Sequence, residues 1–129
     1  MAAAMAYFHV YTFLVKVPKM HSAQGIEIST DGRMMTTCVH GKMTSSVEYG
    51  ENGVVTYRHF YPDGTPQQVM SNKGLRRIGE YSYYHENGKL KVRANYVKGK
   101  LDGEYAEYDE KGRPTKKCTY AAGELVGCE

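Results

Sequence analysis

The side chains that could do acid–base or metal chemistry are scattered along this sequence. A metal site needs several ligands that the chain brings together at characteristic spacings. The five histidines show no such spacing, and they stand at His9, His21, His40, His59 and His85. We therefore expect surface or turn histidines, with no metal and no other cofactor.

Three carboxylates are the candidates for general acid–base catalysis: Glu80, Glu104 and Glu107. Glycoside hydrolysis uses a pair of carboxyl groups, one of them as the acid. Glu80 and Glu104, however, stand 24 residues apart in equivalent surroundings, and a side chain that recurs with a structural period serves the scaffold. We expect these carboxylates to form cross-strand pairs with Lys or Arg, and we expect no catalytic residue.

The three cysteines are Cys38, Cys118 and Cys128, and no two of them form a C-x-x-C motif. Zinc binding and thioredoxin-like chemistry are therefore disfavoured. Cys118 and Cys128 each lie five residues from Gly123, so the two strands of one hairpin would bring them opposite each other. The spacing allows a disulfide in an oxidising compartment. Free thiols are the expectation that we favour.

The net charge of +3 is too small to indicate nucleic-acid binding. Basic residues are frequent in the second half of the chain, at Lys89, Lys91, Arg93, Lys98, Lys100, Arg113, Lys116 and Lys117. Acidic residues stand among them, at Glu86, Asp102, Asp109 and Glu110. We expect a mixed outer face, because no single strand carries an aromatic and basic stripe. A membrane surface is a less favoured partner.

An internal repeat of about 24 residues must position all of these side chains. The tripeptide Gly79-Glu80-Tyr81 returns as Gly103-Glu104-Tyr105. The same shift relates Tyr84 to Tyr108, Gly88 to Gly112, Tyr96 to Tyr120 and Gly99 to Gly123, and a backward shift reaches Tyr57, Phe60 and Gly64. Such a period indicates a repeat architecture in which each unit needs its neighbours.

Two series of turn signals divide the repeat into hairpins, at intervals of about 10–12 residues. The first stands at Asp31-Gly32, Asn52-Gly53, Asp63-Gly64 and Asn87-Gly88, with Lys111-Gly112 as a degenerate copy. The second stands at His40-Gly41, Lys73-Gly74, Lys98-Gly99 and Ala122-Gly123. At Asn87-Gly88 we expect a type I′ turn, which needs positive φ at both residues.

The segments between the turns are typical of β-strands. Tyr occurs 12 times and Gly 14 times, whereas Trp is absent. The stretch 89–96 alternates basic or polar residues with apolar ones, which predicts a strand with one wet face, carrying Lys91 and Arg93, and one buried face. No segment after residue 25 has a convincing helical period, so the sequence predicts an all-β fold.

The unit Gly-Glu-Tyr-x-x-Tyr-x-Glu-Asn-Gly-Lys-Leu-Lys at 79–91 is followed by Tyr-x-x-Gly-Lys-Leu-Asp-Gly at 96–103. This pattern resembles the MORN repeat variant, and it is similar to proteins grouped as YwqK-type antitoxins. The resemblance is close over 79–127 and recognisable over 41–78. It implies antiparallel hairpins stacked into one elongated, twisted sheet, and it implies no catalytic residues.

A stack of this kind should align its aromatic side chains, because one hairpin cannot bury its apolar face alone. We expect two rows of aromatic side chains. The first comprises Tyr57, Tyr81 and Tyr105, and the second comprises Phe60, Tyr84 and Tyr108. The turn glycines with a structural role are Gly64, Gly88 and Gly112. A third set should allow close backbone approach or a bulge beside the rings, and it comprises Gly79, Gly103 and Gly127.

The sequence divides into an apolar N-terminal segment at 1–24 and a repeat array at 25–129. The run 1–17 is almost uncharged and shorter than the roughly 20 apolar residues of a membrane span. Its β-forming residues favour a strand that caps the array or pairs with a second chain. An export segment ending at Ser22-Ala23-Gln24 is the alternative. Of the two locations, we favour the cytoplasm slightly; export would follow if Ser22-Ala23-Gln24 is a cleavage site.

These features together predict a non-enzymatic repeat scaffold for protein–protein interaction. The resemblance suggests an antitoxin or immunity protein whose partner is a toxin. The alternative is an envelope-associated or lipid-surface structural protein. The sequence does not identify the partner.

Overall fold

The computed structural model describes residues 25–129, so the predictions for the segment 1–24 lie outside the described residues. Ten β-strands make up the described part, joined by short turns and one 3₁₀ turn at Glu51–Gly53. The strands are β1 (Gly25–Ile28), β2 (Met34–Val39), β3 (Lys42–Tyr49), β4 (Val54–Phe60), β5 (Pro66–Lys73), β6 (Arg76–Tyr84), β7 (Leu90–Val97), β8 (Lys100–Tyr108), β9 (Pro114–Ala121) and β10 (Glu124–Cys128).

Each strand pairs antiparallel with the next one along the chain, in the order β1 to β10. Residues 25–129 therefore form one open sheet of consecutive hairpins, which confirms the predicted all-β fold. Antiparallel neighbours need only short turns, and the turn signals of the sequence supply them. No helix in the described part is long and apolar enough to cross a membrane.

The 24-residue period is visible in the pairing of the strands. Gln67, Lys91 and Thr115 each lack a partner residue on the preceding strand, and each marks a β-bulge next to a long turn. The bulge at Lys91 interrupts the alternation that the sequence predicts for 89–96. Lys91 and Arg93 therefore do not share one wet face, because an inserted residue changes which side the following side chains take.

Two glycines form a second series of bulges. Gly79 has φ of 71° and Gly103 has φ of 94°, values that glycine adopts without steric cost. Both lie at register shifts, between β5 and β6 and between β7 and β8. A Cβ at either position would contact nothing within 4 Å, so backbone conformation and not close approach requires glycine there. Gly127 does not share the positive φ.

Successive turns alternate between the two rims of the sheet, so the two series of turns stand at opposite rims only from the turn after β4 onward. We call the rim that holds the turns after β5, β7 and β9 the short-turn rim. Its turns Lys98-Gly99 and Ala122-Gly123 have positive φ at both residues, as a type I′ turn requires, and His40-Gly41 has the same conformation at the opposite rim. The turn after β5 is centred on Gly74-Leu75, with positive φ at Gly74. The opposite rim, which we call the long-turn rim, holds the turns at Asp63-Gly64, Asn87-Gly88 and Lys111-Gly112. The turns at Asp31-Gly32 and Asn52-Gly53 lie on the same rim as the short turns after β5, β7 and β9.

The prediction of a type I′ turn at Asn87-Gly88 is wrong. Only Gly88 has positive φ, at 87°. Its N–H donates to the His85 carbonyl (2.9 Å), and the His85 N–H donates to the Lys89 carbonyl (2.8 Å). This is a three-residue loop in which a type I turn ends on a left-handed glycine. The Asn87 side chain accepts the Lys89 N–H at 2.9 Å and so stabilises the turn.

The degenerate turn at Lys111-Gly112 has the same backbone hydrogen bonds as the turn at Asn87-Gly88, but a different side chain stabilises it. Lys111 has no side-chain acceptor, and Asp109, two residues earlier, replaces it. The Asp109 carboxylate accepts the N–H groups of Lys111 and Arg113, each at 2.9 Å. These bonds, led by the one from the Arg113 N–H, lower the pKa of Asp109.

The described sheet has a single layer and very little core. Its buried apolar residues are Ala94, Ala106 and Cys118, and no large side chain in 25–129 is fully buried. The wet face predicted for 89–96 therefore fails at Asn95, which is half-buried. Stability must come mainly from the hydrogen-bonded ladder and from cross-strand side-chain pairs.

We predict that Gly88→Val destabilises the protein by about 1–3 kcal/mol, the usual cost of a strained backbone site. A Cβ at Gly88 would contact nothing within 4 Å, so the loss should come from its positive φ alone. Urea denaturation of both proteins measures the difference. Gly127→Val is the control, since Gly127 also has free space but no positive φ. Equal midpoints for Gly88→Val and the control would contradict the prediction.

Candidate functional site

One side of the sheet carries a row of tyrosines. Tyr81 pairs with Ala94, Ala94 with Tyr105, and Tyr105 with Cys118. Directly opposed residues in antiparallel strands point to the same side, so these four residues line one side across β6 to β9. We call this side the tyrosine face.

Tyr57 extends the tyrosine face toward β4. It pairs with Met70 on β5. The Gln68 amide lies 3.8 Å from the Met70 sulfur and 3.4 Å from the Tyr81 hydroxyl, which places Met70 and Tyr81 on the same side. The structure thus brings Tyr57, Tyr81 and Tyr105 to one face.

The rings of this row do not stack on one another, because Ala94 separates Tyr81 from Tyr105. Each ring packs instead edge-to-face on a second tyrosine. Tyr81 and Tyr96 have centroids 6.4 Å apart at an interplanar angle of 82°. Tyr105 and Tyr120 repeat the arrangement at 6.1 Å and 72°. Such geometry is favourable for aromatic pairs.

The second predicted row, Phe60, Tyr84 and Tyr108, lies on the opposite side. Tyr84 follows Tyr81 by three positions in a continuous strand, and successive side chains alternate between the two sides. The same spacing holds for the other two members. We call this side the paired-charge face.

Ion pairs characterise the paired-charge face. Arg58 contacts Glu48 at 2.7 Å, and Arg93 contacts Glu80 at 3.3 Å. Glu80 therefore has the expected cross-strand partner, whereas Glu104 and Glu107 form no ion pair in the described part of the chain. Each of these arginines stands opposite a small buried serine, Arg58 opposite Ser46 and Arg93 opposite Ser82.

Cations on the tyrosine face lie over aromatic rings. The Arg77 guanidinium is 5.3 Å from the centroid of Tyr81 and 5.2 Å from that of Tyr96. Lysine amines occupy similar positions, Lys91 over Tyr83 and Lys116 over Tyr105, both at 5.6 Å. These distances are within the range of cation–π attraction.

An aromatic and basic stripe thus exists, although no single strand carries one. Sequence reasoning did not single out Arg77. The available signal was a departure from the repeat, because the residue 24 positions later is Leu101. A position where a repeat protein changes residue class is a candidate for a specific role.

Tyr105 and Glu107 form the one polar cluster with a large titration shift among the described residues. The Tyr105 hydroxyl donates to the Glu107 carboxylate at 2.8 Å. Burial raises the pKa of Tyr105 from 10.0 to about 12, and the hydrogen bond and charge of Glu107 contribute. Glu107 is thereby held by a tyrosine and is not paired with a second carboxylate.

The histidines and cysteines show no arrangement for chemistry in the described part. No group of three His, Cys, Asp or Glu side chains in 25–129 could hold a metal ion. His85 has a structural contact, since its Nε2 donates to the Tyr108 carbonyl at 2.9 Å. Cys118 and Cys128 are joined in a disulfide, which differs from the free thiols that we favoured, and Cys38 is a free thiol.

The disulfide fastens the edge strand β10 to β9. Every residue of β10 is exposed, and within residues 25–129 it pairs with β9 alone. Hydrogen bonds alone hold such a short strand weakly. The covalent link follows from the register, which places Cys128 directly opposite Cys118.

Comparison with known proteins finds a family model that matches one part of the repeat array. A family model described as the MORN repeat variant matches residues 77–98, which span most of β6 and β7. This match supports the MORN repeat family for the chain. No curated protein shows a significant sequence match.

A solved structure supports the fold over a longer range. A mutant of S. aureus TarM, in complex with Fondaparinux, alpha-GlcNAc-glycerol and UDP, aligns with 92% of this chain at a TM-score of 0.51 and 9% sequence identity. The alignment covers 27% of that protein, so this chain corresponds to about a quarter of its length. At this identity the likeness concerns the fold alone.

We predict that the raised pKa of Tyr105 makes the stability of the protein fall as the pH rises from 10 toward 12. The unfolded chain releases the phenol proton near pH 10.0, whereas the folded chain holds it to about 12. The contribution of the protonated Tyr105 to the stability of the folded state is therefore complete below pH 10. It is lost as the pH rises through the pKa of Tyr105 in the folded protein. Urea midpoints measured between these pH values should fall more steeply for the wild type than for Tyr105→Phe. Tyr49→Phe, at an exposed position, serves as control; parallel curves for all three proteins would overturn the assignment.

Proposed function

We propose that this protein is a non-enzymatic scaffold that binds a protein partner through the tyrosine face. The observation that carries the proposal is the stripe of tyrosines with cations above their rings on a sheet of one layer. No second layer of the described chain covers this stripe. Its side chains are half-buried, so each ring retains surface for a partner.

The chemistry of the stripe suits protein recognition. Tyrosine and arginine are enriched at the residues that contribute most to protein interfaces. A tyrosine offers large apolar area with few rotatable bonds and a hydroxyl for hydrogen bonding. The hairpin ladder holds these side chains in fixed positions, which lowers the entropy lost on binding. The face extends over many strands, as repeat proteins use extended surfaces.

The narrower proposal is an antitoxin or immunity protein that occludes a toxin. Its support is the resemblance of 79–127 to that group. The partner found by the experiment below decides it: the partner should arrest growth when expressed alone, and co-expression of this chain should restore growth. A partner without toxicity excludes the narrower proposal and leaves the scaffold function in place.

An envelope-associated role is the second candidate, and the disulfide between Cys118 and Cys128 favours it. Disulfides persist in oxidising compartments and are rare in reducing ones. Fractionation of the native host distinguishes the two candidates. Recovery with the envelope and an intact disulfide supports the second candidate, whereas recovery with free thiols from the cytoplasm excludes it.

Two neighbouring lysines provide a matched test of the scaffold function. Lys116 lies over Tyr105 on the tyrosine face. Lys117 pairs with Ala106 and points to the other side. Lys116→Glu and Lys117→Glu thus make the same charge change on opposite faces.

The full chain with an affinity tag is cross-linked in its native host, and captured proteins are quantified by mass spectrometry. We predict a partner that the wild type and Lys117→Glu retain and that Lys116→Glu loses at least about tenfold, as expected for a changed charge inside an interface. Identical captures by the three proteins would contradict binding through the tyrosine face.

A further inference from the structure

A groove at the short-turn rim adjoins the tyrosine face. Its volume is about 880 Å³, and it runs past three successive turns. Its lining includes Leu75 from the turn after β5, Lys98 from the turn after β7 and Ala122 from the turn after β9. Tyr96 and Arg77 connect its floor to the tyrosine face.

Four cations line this groove without an ion-pair partner in 25–129: Arg76, Arg77, Lys98 and Lys100. The one carboxylate in the lining is that of Asp102, and it accepts the Ala122 N–H at 3.1 Å. A concave site with charge of one sign concentrates the field and attracts the opposite charge.

Three of the four other arginines in 25–129 show that this arrangement is not general. Arg58, Arg93 and Arg113 each contact a carboxylate, at 2.7, 3.3 and 2.9 Å. Arg33, which precedes β2, is the one arginine of the described chain away from the groove that also lacks an ion pair, whereas Arg76 and Arg77 both lack one at the groove. The cations that line the groove carry like charges and repel one another, and an anionic ligand would relieve that repulsion.

Apolar side chains stand at the same groove. Leu75 is 104% exposed at the tip of its turn, and Val97 is 47% exposed. A partner residue that covers either side chain would gain the free energy of burying apolar area. The groove thus combines several positive charges with two apolar contact points.

We propose that this groove binds an extended acidic segment of the partner protein, in which Glu or Asp alternates with apolar residues. This inference rests on the proposed scaffold function. Strands are about 4.8 Å apart, so turns two strands apart repeat at about 10 Å, and three turns span about 20 Å. An extended peptide advances about 3.3 Å per residue, so about six residues fill the groove.

The position of Arg77 favours a peptide over a membrane surface. Its guanidinium lies back from the rim, between the rings of Tyr81 and Tyr96. A flat bilayer would meet the turn tips, such as Leu75, and would not reach Arg77. A peptide carboxylate can reach it and can take two parallel hydrogen bonds from the guanidinium.

The test measures binding of a fluorescein-labelled acidic peptide of alternating Glu and Leu, about six residues long, by fluorescence anisotropy to the full chain. The double variant Arg76→Gln with Lys100→Gln removes two groove charges. The matched control, Lys89→Gln with Lys111→Gln, removes two charges from the long-turn rim. Urea melts of both variants verify folding.

We expect the wild type to bind the peptide saturably, with an affinity that falls as the salt concentration rises. The groove variant should lose about tenfold in affinity, because two charge contacts are removed, and the affinity of the control should be unchanged. Three results would each overturn the inference: no saturable binding of the peptide by the wild type, equal losses in both variants, or binding to anionic vesicles of phosphatidylcholine and phosphatidylserine without binding to the peptide. If the partner protein is lost by Lys116→Glu but is still bound by the groove variant, the proposed role of the groove is refuted and the proposed scaffold function is not.

Discussion

Hydrogen bonds from two successive short turns to the preceding hairpins hold the last repeats of this sheet in register. The Gly99 N–H donates to the Arg77 carbonyl at 2.8 Å, and 24 residues later the Gly123 N–H donates to the Leu101 carbonyl at 2.7 Å. Each donor lies in a turn with positive φ, so the turn conformation aims the N–H at the neighbouring strand. Since a slip of one residue would turn every side chain to the other face, the positions of the tyrosines depend on these bonds.

A sheet of one layer explains both the composition and the absence of a large core in 25–129. Without a second layer, a side chain can be covered only by its cross-strand and diagonal neighbours. Tyr pairs such as Tyr105 with Tyr120 suit this position, because the ring packs while the hydroxyl remains near water. On the other face small residues such as Ser82 and Ala106 are covered by longer neighbours. The same lack of cover leaves the tyrosine face open to a partner.

The sequence predicted the fold well, because turns and period are local properties. It could not place the bulges: Lys91 looks like one more residue of an alternating strand, and only its partner strand shows that it is unpaired. The conformation at Asn87-Gly88 was missed because a two-residue and a three-residue loop share the same Asn-Gly signal. The candidate surface was predicted in part. The tyrosine rows follow from the repeat, whereas Arg77 reaches two rings on β6 and β7, a proximity that exists only after folding.

Hydrogen exchange at the short-turn rim measures the inter-hairpin bonds directly. Exchange of individual amides is followed by NMR on the full chain, and the Lys98 N–H is the internal reference, since it has no acceptor in the described part of the chain. The account predicts that the Gly99 and Gly123 amides exchange far more slowly than that of Lys98, because exchange requires opening of the bonds to Arg77 and Leu101. Exchange of all three amides at the same fast rate would contradict it.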